Sequence, residues 1–388
     1  MQKAHQVVAV AVTNLFKYLV ASFMFVSLSI CAAVLPEDRV DAMYHSYDGG
    51  GMSIDGPSIL IRKKVSKAVS VSANYYVDSV SSASIDVLAT ASPYKEERDE
   101  QSVGVDFLNE KTLFSLGYSQ SQENDYDAKS YKLAVSQSFF GDLSVLSLSY
   151  AQGDDIVMQN GNALFSEEVK RANYALSWSQ VASKNWTFDF NIEAITEQGY
   201  LNNPYRSYRY RDDTAALGYS YATEIYPETR TSNAAALRTR YFLPINAALY
   251  GEVRYFSDTW GIAASNYKLG YSQALYDNWL IDFHVRHYTQ SKADFYQDMF
   301  DRKDQFNFMA RDKEMSSFND LTIGLKARYL HTFDRSSLIK SASVNFAWDH
   351  IRFDYDDFRN VLQTDNPGQE DFYSFSANVL RAYVSLWY

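Results

Sequence analysis

From residue 69 to the C-terminus, hydrophobic side chains return at every second position through one segment after another, each roughly ten residues long. Val69-Val71-Ala73-Tyr75-Val77, Phe114-Leu116-Tyr118, Tyr174-Leu176-Trp178, Trp186-Phe188-Phe190-Ile192, Trp279-Ile281-Phe283-Val285 and Leu321-Ile323-Leu325 are clear cases. A period of two belongs to strands, whose alternate side chains point to opposite faces. After residue 34 no run approaches the ~18 continuous apolar residues of a spanning helix. One greasy face and one mixed face per strand is the pattern of a membrane barrel. In a bilayer every backbone N–H and C=O needs a partner, so the sheet has to close and the last strand, 378–388, has to pair with the first. The pattern predicts an all-β fold, an antiparallel transmembrane β-barrel of about 14 to 16 strands closed by the C-terminal strand.

That last strand sets Leu380, Ala382, Val384 and Leu386 against Arg381, Tyr383 and Ser385. Its aromatic terminus, Tyr388, with Leu386 two positions before it, resembles the signal read by the barrel-insertion machinery, although Tyr383 stands where that signal commonly has glycine. Short turns at 65–67, 109–110, 141–142, 183–184, 244–245, 277–278 and 334–335 alternate with long connections near 79–101, 121–129, 152–167, 197–213, 290–317 and 354–371. In outer-membrane barrels the short turns are periplasmic and the long loops extracellular. The alternation loses parity near 205–230, where 205–226 is either a hairpin extending one loop or a further strand pair. Leu-Gly-Tyr-Ser occurs at 116–119, 217–220 and 269–272, read as one recurring solution for a strand with a lipid face and a lumen face.

Lys3, His5 and Lys17 precede an apolar run from Tyr18 to Val34, and Cys31-Ala-Ala33 offers small residues for cleavage, so residues 1–33 read as a signal peptide. A retained anchor helix is the alternative; a lipoprotein signal is disfavoured by the bulky Ile30. Cys31 is the single cysteine, so a processed chain would have no thiol, which suits an oxidising periplasm and excludes disulfide scaffolds, cysteine catalysis and Cys-type zinc sites. The segment 34–57 is polar and glycine-rich around Gly49-Gly-Gly51, with neither the Lys-Ser/Thr nor the following helix of a phosphate loop. It is expected in the periplasm or lumen, with the barrel occupying 58–388. A net charge of −11 makes nucleic-acid binding a poor reading, and 31 Tyr with a mean hydropathy of −0.32 fit a barrel, which hides its hydrophobicity in alternation.

Asp48-Gly-Gly-Gly-Met-Ser-Ile-Asp-Gly-Pro-Ser58, Ser72-Ala-Asn-Tyr-Tyr-Val-Asp78, Ala91-Ser-Pro-Tyr-Lys-Glu-Glu-Arg98, Leu201-Asn-Asn-Pro-Tyr-Arg206, Arg254-Tyr-Phe-Ser-Asp-Thr-Trp-Gly261 and Ala310-Arg-Asp-Lys-Glu314 together resemble domain-of-unknown-function family 3570. The resemblance implies a Gram-negative outer-membrane protein of unestablished activity, often encoded beside a small lipoprotein, and transfers no catalytic residues.

With the apolar face given to lipid, the lumen receives a basic wall of Arg238, Arg240, Arg254, Lys268, Arg286, Lys326 and Arg328 and an acidic wall of Asp78, Asp106, Asp189 and Glu193. Opposed charged walls would orient dipolar solutes, and rings of Arg and Lys favour anions. The competing reading is that these charges pair with one another or with an inserted acidic loop such as 294–304. Asp282, His284 and Arg286 share the lumenal face, but sequence places no serine beside His284; His287, Thr289 and Ser291 lie on the other face with no lipase motif around them. His45, His331 and His350 read as isolated rim or lumen residues. The acidic clusters 123–127 and 354–357 are oxygen-rich enough for Ca²⁺ or Mg²⁺, but neither fits an EF-hand, and solvated acid facing lipopolysaccharide is the better reading. Expected, then, is a channel or transporter for small polar or anionic solutes without cofactor or resident metal, not an enzyme. A plugged barrel serving as docking or export sleeve for a lipoprotein is the alternative, and an outer-membrane hydrolase comes third.

Overall fold

The computed structural model describes residues 34–82, 85, 94–334, 337–363 and 366–388. The signal peptide expected over 1–33 lies outside the described residues.

Asp48 to Gly51 reverse the chain between two strands, β1 (Arg39–Gly49) and β2 (Met52–Lys64). The segment 34–57 is therefore wall from Arg39 onward, and the expectation that it sits in the lumen or periplasm ahead of a barrel starting at Ser58 is overturned. The irregular composition misleads because the reversal needs two successive residues in the left-handed region, Gly50 at φ 61° and Gly51 at φ 78°, which glycine adopts without a Cβ penalty. The strands flanking it mix polar and charged residues with apolar ones.

Fourteen more barrel strands follow in meander order: β3 (Val69–Ser82), β4 (Tyr94–Asn109), β5 (Thr112–Gln122), β6 (Tyr126–Phe139), β7 (Ser144–Met158), β8 (Ser166–Ser183), β9 (Trp186–Gly199), β12 (Thr229–Leu243), β13 (Ala247–Asp258), β14 (Ala263–Leu275), β15 (Trp279–Gln290), β16 (Phe318–Thr332), β17 (Ser341–Arg359) and β18 (Phe372–Trp387). Each pairs antiparallel with its neighbours, and β1 pairs with β18 from Arg39 opposite Trp387 to Gly49 opposite Ala377, so the sheet has no free edge. β10 (Ser207–Arg211) and β11 (Tyr219–Thr223) form a separate two-stranded hairpin. That hairpin resolves the lost parity: 205–226 extends one long loop and adds nothing to the wall. The Leu-Gly-Tyr-Ser at 217–220 consequently lies at the start of β11, outside the barrel, while its counterparts lie in β5 and β14.

The outward faces carry the apolar residues the alternation predicts, among them Leu116, Leu133, Leu237, Leu269 and Val344, all exposed. Leu269 is 74% exposed, a cost in water and a match in hydrocarbon. Aromatic girdles bound this band. Tyr118 packs on Tyr131 and Tyr150 on Tyr174 toward the long loops, with ring centroids 5.2 and 5.1 Å apart. Phe107 against Phe114, and Trp279 against Tyr329, mark the short-turn end. Such rings combine an apolar body with tolerance of the headgroup region. At the seam, Leu386 lies opposite Val40 and Ala342, and Tyr388 donates its hydroxyl to the Arg62 carbonyl (3.1 Å) beneath the Lys63 ammonium, 4.5 Å from its ring.

Candidate functional site

The basic residues named from sequence fall on five consecutive strands: Arg238 and Arg240 on β12, Arg254 on β13, Lys268 on β14, Arg286 on β15, and Lys326 and Arg328 on β16. The acids divide. Asp106 is on β4, across the strand ring from β14, and Asp78 is on the adjacent β3. Asp189 and Glu193 are on β9, the immediate neighbour of β12, so they flank the basic arc and do not form an opposing wall with the other two. Sequence order put them early in the chain; the intervening loop hairpin hid how close β9 and β12 are in space.

Several of these charges are satisfied locally. Arg238 pairs with Glu252, which lies opposite it in register. Arg254 reaches Glu193 at 3.2 Å, and Arg286 reaches Asp320 at 2.7 Å. Asp78 takes the His45 Nε2 at 2.7 Å, Asp106 accepts from Ser115 at 2.6 Å, and Asp189 accepts from Ser179. Two adjoining cavities nevertheless open against the basic arc. One, of about 720 Å³, lies among Arg230, Arg254, Arg286, Phe256, Met315 and Phe318. The other, of about 520 Å³, lies among Asp189, Arg238, Arg240, Tyr250, Asp282 and Lys326. Glu252 and Lys268 border both.

One transverse row explains the shape of the wall between them. Tyr250, Gly270, His284, Gly324 and Asp349 stand opposite one another on β13 to β17. The Tyr250 ring lies across Gly270, where a Cβ would come within 2.1 Å of it, and its hydroxyl donates to Asp282 Oδ1 at 2.8 Å, two strands away. The buried His284 lies across Gly324 in the same manner and meets Asp349 Oδ1 at 3.2 Å. Arg381 caps the other Asp349 oxygen at 2.6 Å. Ser272 donates to the second Asp282 oxygen, Oδ2, at 2.6 Å. His287 is exposed on the outer face. Of the other histidines, His350 bonds Asn378 at 3.0 Å and His331 packs edge-on to Phe333.

Sequence reasoning missed the body that covers the long-loop end. Lumen-facing Phe256, Phe318, Phe353, Tyr355, Tyr373 and Phe375 form an aromatic shelf, and the loops fold onto it with Trp260, Tyr226, Tyr296 and Phe358 buried in between. A second small core joins Tyr208 of β10 to Phe300 and Met309, all fully buried. Bridges Tyr210–Phe300 and Ile225–Met309 stitch loop 200–228 to loop 291–317, and Tyr296–Ala310 folds the latter loop on itself. Arg209, with no exposed surface, donates to Glu370 Oε1 at 2.6 Å and to Asp298 Oδ2 at 2.8 Å, tying both loops to 360–371. Arg311 holds Asp298 Oδ1 at 3.0 Å. On the far side, the Tyr205 hydroxyl donates to Asp125 at 2.5 Å and receives the Asn160 N–H at 2.7 Å. Ile85 of the β3–β4 connection joins the core. Loops from all around the rim thus meet in one cap. The legible signal was the apolar residues inside stretches otherwise read as polar loop.

Both acidic clusters take part in this cap. Glu123, Asp125 and Glu96 bring carboxylate oxygens within 4.8 Å of one another, with Arg98 3.6 Å from Glu123. Asp357 accepts the Ser317 N–H at 2.8 Å. Within the cap Glu224 is buried with Asp312 and Arg206 nearby; it accepts from the Tyr226 hydroxyl and the Arg311 N–H, each at 2.6 Å. Burial, reinforced by the charge of Asp312, pushes its carboxyl up to about 7.

Among solved structures, the siderophore receptor PirA from Acinetobacter baumannii is similar over 92% of this chain at 9% identity (TM-score 0.44), and this chain spans 61% of that receptor's length. A bacterial polysaccharide outer membrane secretin is similar over 91% of this chain and 100% of its own at 8% identity (TM-score 0.49). The outer membrane protein opdK from Pseudomonas aeruginosa is similar over 91% of this chain and 99% of its own at 10% identity (TM-score 0.42). No curated protein matches the chain. The protein is a closed antiparallel β-barrel whose residues 162–339 match the model described as "Protein of unknown function (DUF3570)", the family that its motifs resemble.

Proposed function

We propose that this barrel resides in the outer membrane of a Gram-negative bacterium and passes a small polar or anionic solute through a lumen whose outer mouth is closed by the loop cap. The observation that carries the reading is the pair of adjoining cavities, about 720 and 520 Å³, bordered by cations beneath the cap. A lumen serving only as filler would be expected to close such space with paired side chains. The N-terminal segment supports the same reading, because from Arg39 to Lys64 it builds wall strands β1 and β2. The protein acts as a carrier or gated channel and not as an enzyme; outer-membrane lipid, lipopolysaccharide and the insertion machinery are its general partners.

The cap itself favours a second reading, a closed barrel that opens on docking of a protein such as a small lipoprotein. Planar-bilayer recordings under a salt gradient separate the two. The intact protein is expected to conduct rarely, and Arg209→Ala, which unlocks three loops, to conduct steadily with a reversal potential favouring anions. Silence in both would abandon the channel reading for the docking one.

A further inference from the structure

We infer that Arg240, Lys268 and Lys326 form an oxyanion-binding subsite inside the lumen, for a small solute bearing a carboxylate or phosphate. The inference rests on the transport reading above and deepens it. Its basis is a difference among neighbouring cations. Arg230 holds Asp258 at 2.6 Å, Arg286 holds Asp320 at 2.7 Å, Arg381 holds Asp349 at 2.6 Å, Arg254 holds Glu193 at 3.2 Å, and Arg238 holds Glu252. Among the described residues, none of Arg240, Lys268 and Lys326 closes an ion pair with a carboxylate. All three border the same cavity of about 520 Å³.

The acids beside them are already engaged. Asp282, opposite Lys326 in register, accepts from the Tyr250 and Ser272 hydroxyls at 2.8 and 2.6 Å. Glu252, opposite Lys268, is taken by Arg238 and by the Asn266 amide at 3.2 Å. Asp189 accepts from Ser179.

Geometry gives the cations a floor to surround. Lys268 stands one lumenal row above the Tyr250–Gly270–His284–Gly324 row, and Lys326 stands one row below it. The two glycines lower that row: the Tyr250 ring lies over Gly270 and the His284 ring over Gly324. Arg240 approaches from the next strand, its guanidinium 5.4 Å from the Tyr250 ring centroid. Two ammonium groups and a guanidinium around a flat aromatic floor suit an oxyanion, since each can donate a charge-assisted hydrogen bond. The cavity adjoins the larger one beneath the cap through Lys268 and Glu252, so an anion held here lies on a path from the mouth.

The test uses the folded full chain in detergent micelles, titrated calorimetrically with inorganic phosphate and separately with succinate. Binding of at least one probe is expected. Affinity should fall about tenfold or more per lysine in Lys268→Met and Lys326→Met, recover in the Lys→Arg variants, and stay unchanged in Lys132→Met on the other side of the lumen. Binding of phosphate alone or succinate alone supports the site and names the oxyanion. No binding of either probe, or binding that both methionine variants retain, overturns it. Should the lysine variants fail to fold, Arg240→Gln carries the same expectation. Uptake of the bound probe into proteoliposomes tests transport separately: lysine-dependent binding without uptake leaves the site standing and removes the transport reading, whereas uptake indifferent to these lysines does the reverse.

Discussion

His284 Nε2 lies 3.2 Å from Asp349 Oδ1, and the two meet over Gly324, where a Cβ would come within 2.1 Å of the imidazole and 2.2 Å of the carboxylate. Three adjacent strands are pinned by this contact, and only glycine on the middle one permits it. Gly324→Ala must displace the imidazole or shift β16. Overpacking of this kind costs ~1–3 kcal/mol. The expected result is a lower unfolding temperature, read from the heat-modifiable gel mobility of the barrel, with the loops still folded. An unchanged transition would show that the ring has another place to go.

Arg209 locks the cap. It has no exposed surface, and its partner Glu370 is 1% exposed, so Arg209→Ala strands a carboxylate without its cation. Removing one partner of a buried pair costs ~3–5 kcal/mol. Because the pair joins the cap segments and not barrel strands, the loss should appear as protease cleavage within 200–228 and 291–317 while the barrel keeps its heat-modifiable mobility. A cleavage pattern identical to the unmodified protein would mean the aromatic shelf alone holds the cap.

The wall was legible in the sequence and the cap was not, for a physical reason. Alternation such as Trp279-Ile281-Phe283-Val285 is imposed by lipid on one side and water on the other, so it survives in the residue order. Tyr208, Phe300 and Met309 meet across ninety residues of chain with no period to announce them. The same limit scattered the site: Lys268 and Lys326 could be placed on lumenal faces by parity, but the freedom of these cations depends on Tyr250 and Ser272 having taken Asp282, which only register reveals.

Cap stability should depend on pH through Glu224. Its carboxyl is raised from 4.5 to about 7 in the folded cap, first by burial and then by Asp312. A raised folded value means that the neutral form favours folding: the contribution is fully present below the unfolded value near 4.5 and is lost as pH rises through about 7. Amide exchange at 222–226 and 309–312, corrected for intrinsic rates, should therefore show weaker protection at pH 8 than at pH 5. Glu224→Gln, which keeps the buried acceptor without the charge, should flatten that difference. Protection that rises with pH would contradict the assignment.

Deleting residues 34–57 separates a wall from a plug. If that segment filled the lumen, its removal would open a pore in an intact barrel. In the structure its removal takes away all of β1 and the first half of β2, leaving β18 without the partner it has from Trp387 to Ala377. Each unpaired backbone group then faces lipid, at a cost of ~2–7 kcal/mol apiece. Residues 58–64 cannot replace β1, because moving them against β18 would strip the pairing that β3 has with Ser58 to Lys64. The truncated chain is expected to give no heat-modifiable band and no steady conductance, whereas Arg209→Ala keeps the band. A folded, conducting truncation would instead require β18 to close directly on a shortened β2, a fifteen-strand ring in which those two strands would run parallel.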